Sequence, residues 1–180
     1  MEALECIKTR RSVRKFTDEK IPHEVLEELV DVARFAPSWK NTQIARYIVV
    51  EDKEIQEKIA NSCVLDFTYN TKTITRATTL MVVAYVTKRS GFERDGSCTT
   101  SKGEEWEMFD AGIATQTLCL AAHEKGIGTC IMGIFDEASV AEAIHLPEGQ
   151  RVGALVAMGY PAETPDTPPR KEVGKLISYL

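Results

Sequence analysis

The chain has 180 residues, of which 43% are hydrophobic and 27% are charged, a composition that excludes a disordered or fibrous protein. This length fits one domain over residues 1–180. The formal net charge of −5 argues against a dedicated nucleic-acid binder, because such proteins neutralise phosphates with a basic surface.

Turn residues and periodic apolar positions divide the chain into predicted elements. In chain order these are helices over 2–11 and 22–36, a polar turn over 38–42, a strand over 44–50, a helix over 52–60, a strand over 79–86, a loop over 87–103, a helix over 104–125, a strand and turn over 127–134, a helix over 136–144 and a strand over 151–158. Helices and strands mix without a strict βαβ rhythm, which predicts an α+β fold.

Several residues mark the boundaries of these elements. Pro37 cannot continue the second helix, so that helix is expected to end at Ala36. Asp52 suits a helix N-terminus, and Gly126 suits the C-terminal cap of the long helix. The stretch over 79–86 is rich in β-branched residues, which predicts a buried central strand.

The cysteines and histidines carry no recognisable site. The five cysteines include no C-x-x-C pair, and the three histidines lack the spacing of metal ligands. We therefore expect neither a disulfide framework nor a metal site. No apolar stretch has the length that crosses a bilayer, and the N-terminus does not resemble a targeting signal, so the expected location is the cytoplasm.

A basic segment lies near the N-terminus, where five of the eight residues over 8–15 are cationic. Such density in an acidic protein indicates an anionic partner, and the planar fork of arginine suits phosphate. The alternative is a solvated helix end, where cations favour the helix dipole. A membrane-surface patch is disfavoured because acidic residues flank the segment.

The turn over 36–43 collects hydrogen-bonding side chains, although a plain proline turn is the alternative. Trp39 and Trp106 either stack on a planar ligand or pack in the protein. There is no G-x-G-x-x-G after a strand and no phosphate-binding P-loop motif, so a Rossmann nucleotide site is not supported. No cysteine is paired with a histidine in a way that indicates a nucleophile.

Four segments together resemble the nitroreductase family of FMN enzymes. Residues 10–16 are similar to its opening R-R-S-x-R-x-F, and residues 36–43 are similar to its A-P-S-x-x-N-x-Q turn. Residues 126–136 resemble the stretch that makes backbone contacts at the flavin edge, and Arg170 resembles a late phosphate-binding residue. The order of these motifs runs through nearly the whole chain.

The resemblance implies a role for each matched residue. A cation near the N1–C2 edge of a flavin is expected to stabilise the negative charge of the reduced ring. The implied roles are the FMN phosphate for Arg10, Ser12 and Arg170; the ribityl chain or phosphate for Arg11; the N1–C2 edge for Arg14; contact from the partner subunit for Pro37, Ser38 and Asn41; the ring edge, with a backbone N–H at N5, for Ile131, Met132 and Gly133; and a ring contact for Asn70.

The resemblance also implies a mixed or antiparallel sheet flanked by helices and an intertwined homodimer, with residues from about 161 to 180 packing on the partner. The implied activity is FMN-dependent oxidoreduction, in which NADH or NADPH reduces FMN and a nitroaromatic, quinone or related acceptor reoxidises it by a ping-pong mechanism. No side-chain acid or base is required.

Two departures from the family pattern bear on the substrate pocket. Gln43 is followed by Ile44-Ala45 where the family usually has Pro-Trp, and residues 87–103 replace a longer helical insertion. These departures favour, as an alternative, a non-catalytic flavin-binding or sensing protein. A third hypothesis, from a different class, is an interaction protein that responds to anions through the basic segment.

Overall fold

The computed structural model describes residues 1–180 and contains six α-helices and four β-strands. In chain order they are α1 (Ala3–Thr9), α2 (His23–Ala33), β1 (Ala45–Val50), α3 (Lys53–Ser62), α4 (Thr68–Arg76), β2 (Thr79–Val86), α5 (Glu105–Glu124), β3 (Gly128–Met132), α6 (Glu137–Ala143) and β4 (Gln150–Gly159). No helix is long and apolar enough to pass through a membrane.

The strands form one sheet in the order β1-β2-β4-β3, and every neighbouring pair is antiparallel. The predicted α+β fold is therefore confirmed, and of the two expected sheet types the antiparallel one is present. Strand β2 is central and buried along its length, as its β-branched sequence predicts. Strands β1 and β3 are the two edges of the sheet within this chain.

Side chains of β2 alternate between two cores because successive residues of a strand point to opposite faces. Leu80 and Val82 belong to the core that includes residues of α3, α4 and α6. Met81 and Val83 belong to the core that includes residues of α2 and α5. The sheet is thus covered on both faces by helices, which explains why β2 is apolar at consecutive positions rather than at alternate ones.

The predicted caps form with the expected hydrogen bonds. The Asp52 carboxylate accepts the N–H groups of Glu54 and Ile55 at the start of α3. At the end of α5, Gly126 has φ +73°, its N–H donates to His123, and the N–H of Ile127 donates to Ala122. This is a Schellman ending, which requires a left-handed residue and therefore favours glycine.

Two expectations about helices are wrong, and one helix lies in residues 61–78, for which no element is predicted. This helix, α4, has a threonine-rich sequence of low helix propensity, and tertiary packing of Ile74 and Thr73 stabilises it. Helix α2 ends at Ala33 rather than Ala36, since the N–H of Ala36 already donates to Ala33 in a tighter turn. The helix also begins at His23, so Pro22, the predicted first residue, lies just before it.

Candidate functional site

The basic segment lies along the free edge of β3. Ser12 forms a parallel bridge with Thr129, and the N–H of Val13 donates to the carbonyl of Thr129 at 3.0 Å. The Val13 side chain is buried against the core below the sheet. The segment is therefore an added strand-like stretch and not merely a solvated helix end, since α1 stops at Thr9.

Two glycines allow this close approach. Gly128 of β3 and Gly159 of β4 face each other in the sheet register. A Cβ atom added to Gly128 would lie 2.8 Å from the Cβ of Val13, and one added to Gly159 would lie 3.0 Å from the Cβ of Phe16. Because real Cβ atoms do not approach that closely, any side chain at Gly128 would displace the basic segment.

The C-terminal tail fixes the other side of the segment. The Glu163 carboxylate accepts the backbone N–H of Arg14 at 2.9 Å and lies 3.4 Å from the Lys15 ammonium. The N–H of Arg14 is the main reason that the pKa of Glu163 lies below its usual range. Arg11 donates to the Thr167 hydroxyl at 2.6 Å, so the tail runs alongside the segment.

A cleft of about 570 Å³ opens beside the segment. It brings together five residues predicted for the site from distant parts of the sequence. These are Arg14, Asn70, Ile131, Met132 and Gly133.

The backbone of Ile131 is directed toward the free edge of β3. Residues two apart on a strand point their N–H and C=O groups to the same side. The Thr129 carbonyl bonds Val13 at the free edge, so the Ile131 N–H points the same way, beyond the end of the bridged segment. The Ile131 side chain is 45% exposed. The cleft therefore offers a backbone donor that β4 does not use.

Asn70 is 7% exposed and donates from its amide to the Ile134 carbonyl at 2.9 Å. Helix α4 thereby holds the chain that follows β3, including Gly133. The amide oxygen of Asn70 accepts no hydrogen bond within the chain. Asn70 is thus placed both to brace the cleft and to contact a ligand in it.

The phosphate candidates Arg10 and Ser12 lie close together in the sequence, whereas Arg170 lies in the C-terminal tail, and the three differ in their surroundings. Arg10 is half-buried, and Ser12 is held against Thr129. Burial, followed by the positive charges of Arg10 and Arg11, lowers the pKa of His123 at the end of α5. Arg170 is exposed in the tail and makes no hydrogen bond or ion pair within the chain.

The predicted turn lies away from this cleft. Pro37 and Ser38 line a separate cavity of about 350 Å³ between α2, β1 and α5, and Asn41 is exposed. The Ser38 hydroxyl accepts the N–H of Gln43 at 2.9 Å. Within one chain the turn therefore does not join Arg14 and Ile131.

The two tryptophans contact each other. The ring centroids of Trp39 and Trp106 are 4.8 Å apart, and Trp106 also packs edge-on against Phe109. The Trp106 indole N–H donates to the Thr100 hydroxyl at 3.1 Å. Mutual packing accounts for the positions of both rings, while the buried indole N–H of Trp39 has no hydrogen-bond partner within the chain.

Sequence reasoning missed other residues of the cleft. The cleft is also lined by Phe67, which precedes α4, by Tyr69 and Thr73 of α4, and by Cys130 of β3. The spacing of Asn70, Thr73 and Ile74 on one face of α4 is the only local signal for this wall. Glu163 gives no local signal, because its contact spans 149 positions of the sequence.

The chain is similar to known proteins along most of its length. A model of the nitroreductase family matches residues 7–160. A relative from Methanothermobacter thermautotrophicus, named as an NADH dehydrogenase/NAD(P)H nitroreductase, is 32% identical over 171 residues, covering 93% of this chain and 81% of the relative. A Bacillus subtilis protein named FMN reductase (NAD(P)H) is 26% identical over 178 residues, covering 94% and 70%.

A crystal structure of a nitroreductase family protein from Clostridium novyi NT has a TM-score of 0.77 and 31% identity. The match covers 92% of this chain and 89% of that protein. The family model spans most of the chain, and the fold agrees with that of this solved family member. The chain belongs to the nitroreductase family.

Proposed function

We propose that this chain binds FMN in the cleft beside β3 and works as an FMN-dependent NAD(P)H oxidoreductase. The observation that carries the proposal is the pairing of the Arg14 cation with the free-edge N–H of Ile131 around one cleft. The names of the relatives, which include NAD(P)H nitroreductase and FMN reductase, support the same activity.

The cleft suits a flavin in shape and chemistry. Its volume of about 570 Å³ lies in the ordinary range for small-molecule sites, and its lining is largely apolar with a few polar groups. Ile131 and Met132 offer an apolar wall, Asn70 a free amide oxygen and Arg14 a positive charge. The flavin ring is planar and has polar edges, so it needs this combination of an apolar wall, a hydrogen-bond acceptor and a positive charge.

When bound, FMN supplies a ring that accepts a hydride and passes electrons on. Arg14 would supply the positive charge that stabilises the negative charge of the reduced ring at its N1–C2 edge, and the N–H of Ile131 would be the donor for N5. Arg10, Ser12 and Arg170 would hold the phosphate, and Arg11 would contact the ribityl chain or the phosphate. No side chain of this site is needed as an acid or base.

We propose that the active form is a homodimer. Leu4 and Ile7 of α1 are 69% and 53% exposed, and Phe109 of α5 is 59% exposed. In the tail Leu176 is 69% exposed and Tyr179 is 87% exposed. A second copy would cover such side chains, which a lone chain leaves in water. In the dimer, Pro37, Ser38 and Asn41 reach the FMN of the partner. Of the predicted segment 161–180, the part up to Thr167 lies against the basic segment of its own chain, so we propose that the residues after Thr167 pack on the partner.

One cleft serves both substrates in this proposal. NADH or NADPH uses one face of the flavin, and the acceptor then uses the same face, which gives ping-pong kinetics. The acceptor is a nitroaromatic, a quinone or a related compound. All five cysteines are free, which supports a reducing compartment such as the cytoplasm.

The absorption spectrum of the purified protein, before and after anaerobic NADH or NADPH, tests the proposal. We expect a yellow protein that is bleached by a nicotinamide and regains colour when an acceptor is added. A yellow protein that neither nicotinamide bleaches would support the non-catalytic alternative. A colourless protein that takes up no FMN would refute flavin binding.

A further inference from the structure

We infer that Asp110 is a positioning residue for the FMN site, because it anchors the turn over 36–43. This inference rests on the proposed function, in which Ser38 and Asn41 reach the cofactor of the partner subunit. Asp110 itself touches no reacting group. It acts through the backbone of Trp39.

Asp110 is a buried carboxylate in α5 that no cation neutralises. It is 4% exposed, and no lysine, arginine or histidine forms an ion pair with it. One of its oxygens accepts the backbone N–H of Trp39 at 2.9 Å and the hydroxyl of Ser90. Burying a charge without a partner is unfavourable, and the two hydrogen-bond donors offset part of that cost for Asp110.

The turn that Asp110 holds has a strained backbone. Lys40, Asn41 and Gln43 have positive φ angles of 45°, 55° and 49°. Side chains disfavour this left-handed region, and asparagine alone among the three tolerates it well. Such a turn keeps its shape only where surrounding contacts fix it.

Those contacts converge on Trp39. Its N–H is held by Asp110, and its ring packs on Trp106, which lies one helical turn before Asp110 on α5. Ser38 is the neighbour of this anchored residue and closes the turn by accepting the N–H of Gln43. The position of the Ser38 hydroxyl is therefore set by α5.

The loop over 87–103 completes the anchor. Ser90 is fully buried against Asp110, and Glu93 forms an ion pair at 3.0 Å with Lys40 of the turn. A Cβ atom added to Gly91 would lie 2.3 Å from the Gly103 carbonyl, so the loop closes tightly on itself. In this chain the short loop buttresses the turn.

The test compares two substitutions of the same residue. In Asp110→Asn the amide oxygen can take the place of the accepting carboxylate oxygen, so both donors stay paired. In Asp110→Leu the side chain has similar bulk and no acceptor, so two donors are left without a partner. We expect the Kd for FMN to rise about tenfold or more in Asp110→Leu and to stay near the wild-type value in Asp110→Asn.

The Kd is measured from the fluorescence of flavin released when the holoprotein is diluted. A second readout does not depend on FMN. The chain has only two tryptophans, Trp39 and Trp106, and their close, tilted rings should give a coupled signal in ultraviolet circular dichroism. That signal should be lost in Asp110→Leu and kept in Asp110→Asn.

Glu107→Gln is the control for loss of a buried carboxylate from the same helix. Glu107 bonds the N–H of Lys88 in the supporting loop, and the amide oxygen of glutamine keeps that bond, so the loop and the turn should stay in place. The substitution should change neither readout. If Asp110→Leu does not fold, Ser90→Ala removes one donor and should raise the Kd by a smaller factor in the same direction.

Three outcomes would overturn the inference while the proposed function stands. These are a tryptophan signal lost without a change in Kd, a signal kept in Asp110→Leu, and an equal rise in Kd in Glu107→Gln. A wild-type protein that binds no FMN would instead refute the proposed function and the cofactor role of Asp110 together.

Discussion

Gly128 tests whether close packing of Val13 on β3 holds the basic segment in place. In Gly128→Ala the new methyl group would lie 2.8 Å from the Cβ of Val13 and 2.9 Å from one of its methyl groups. Ordinary contacts between carbon atoms are about 3.5–4.0 Å, so Val13 must retreat by roughly 0.7 Å. That retreat strains the 3.0 Å bond from its N–H to Thr129.

The expected loss of stability follows from these contacts. Overpacking of this kind costs about 1–3 kcal/mol, and a weakened hydrogen bond adds about 0.5–1.5 kcal/mol. For a chain of this length each kcal/mol lowers Tm by about 2–4 °C. Thermal unfolding followed by circular dichroism should therefore show Tm lower by about 3 °C or more, and flavin fluorescence should show weaker FMN binding.

Gly174→Ala is the matched control, because a Cβ atom there meets nothing within 4 Å and the residue has no positive φ. It should leave both readouts unchanged. Adding Val13→Gly to Gly128→Ala removes the clashing atoms, so the double variant should be more stable than the sum of the single effects predicts. If Gly128→Ala behaves like Gly174→Ala, the docking of the segment does not depend on this contact and the reasoning is refuted.

Three further predictions test other parts of the site and fold. Arg10→Ala should weaken FMN binding about tenfold or more through loss of a charge-assisted bond, and Lys20→Ala should not. If both substitutions weaken FMN binding equally, the overall loss of positive charge, and not a specific bond from Arg10, explains the effect. The pKa of Glu163 lies below its usual value of 4.5, so its contribution to stability is complete above about pH 4.5 and disappears as the pH falls through the lower folded-state value. Glu163→Gln should therefore be less stable than wild type at neutral pH and converge with it in acid-unfolding curves, and a constant difference at all pH values would contradict this linkage. Asp52→Ala should lower the unfolding free energy by about 1 kcal/mol, measured by urea denaturation, and an unchanged midpoint would show that the cap of α3 is dispensable.

Much of the secondary structure could be predicted from local sequence. Capping and periodicity act over a few neighbouring residues, so Asp52, Asp136 and Gly126 mark their helix ends correctly. The apolar, β-branched sequence over 79–86 likewise predicts the central strand at its observed bounds. Helix α4 escaped prediction because distant residues, rather than its own propensity, stabilise it.

The sequence by itself determined which residues are candidates for the site, because the motif residues and their order are properties of the chain. The tertiary structure decided which of them meet: Arg14, Asn70 and Ile131 share a cleft, whereas Ser38 lies at a different cavity of the same chain. It also decided the supporting contacts, since Glu163 bonds Arg14 across 149 positions and Asp110 bonds Trp39 across 71. The physical reason is that strand order, free edges and close packing at Gly128 arise from contacts between distant segments, which local patterns do not encode.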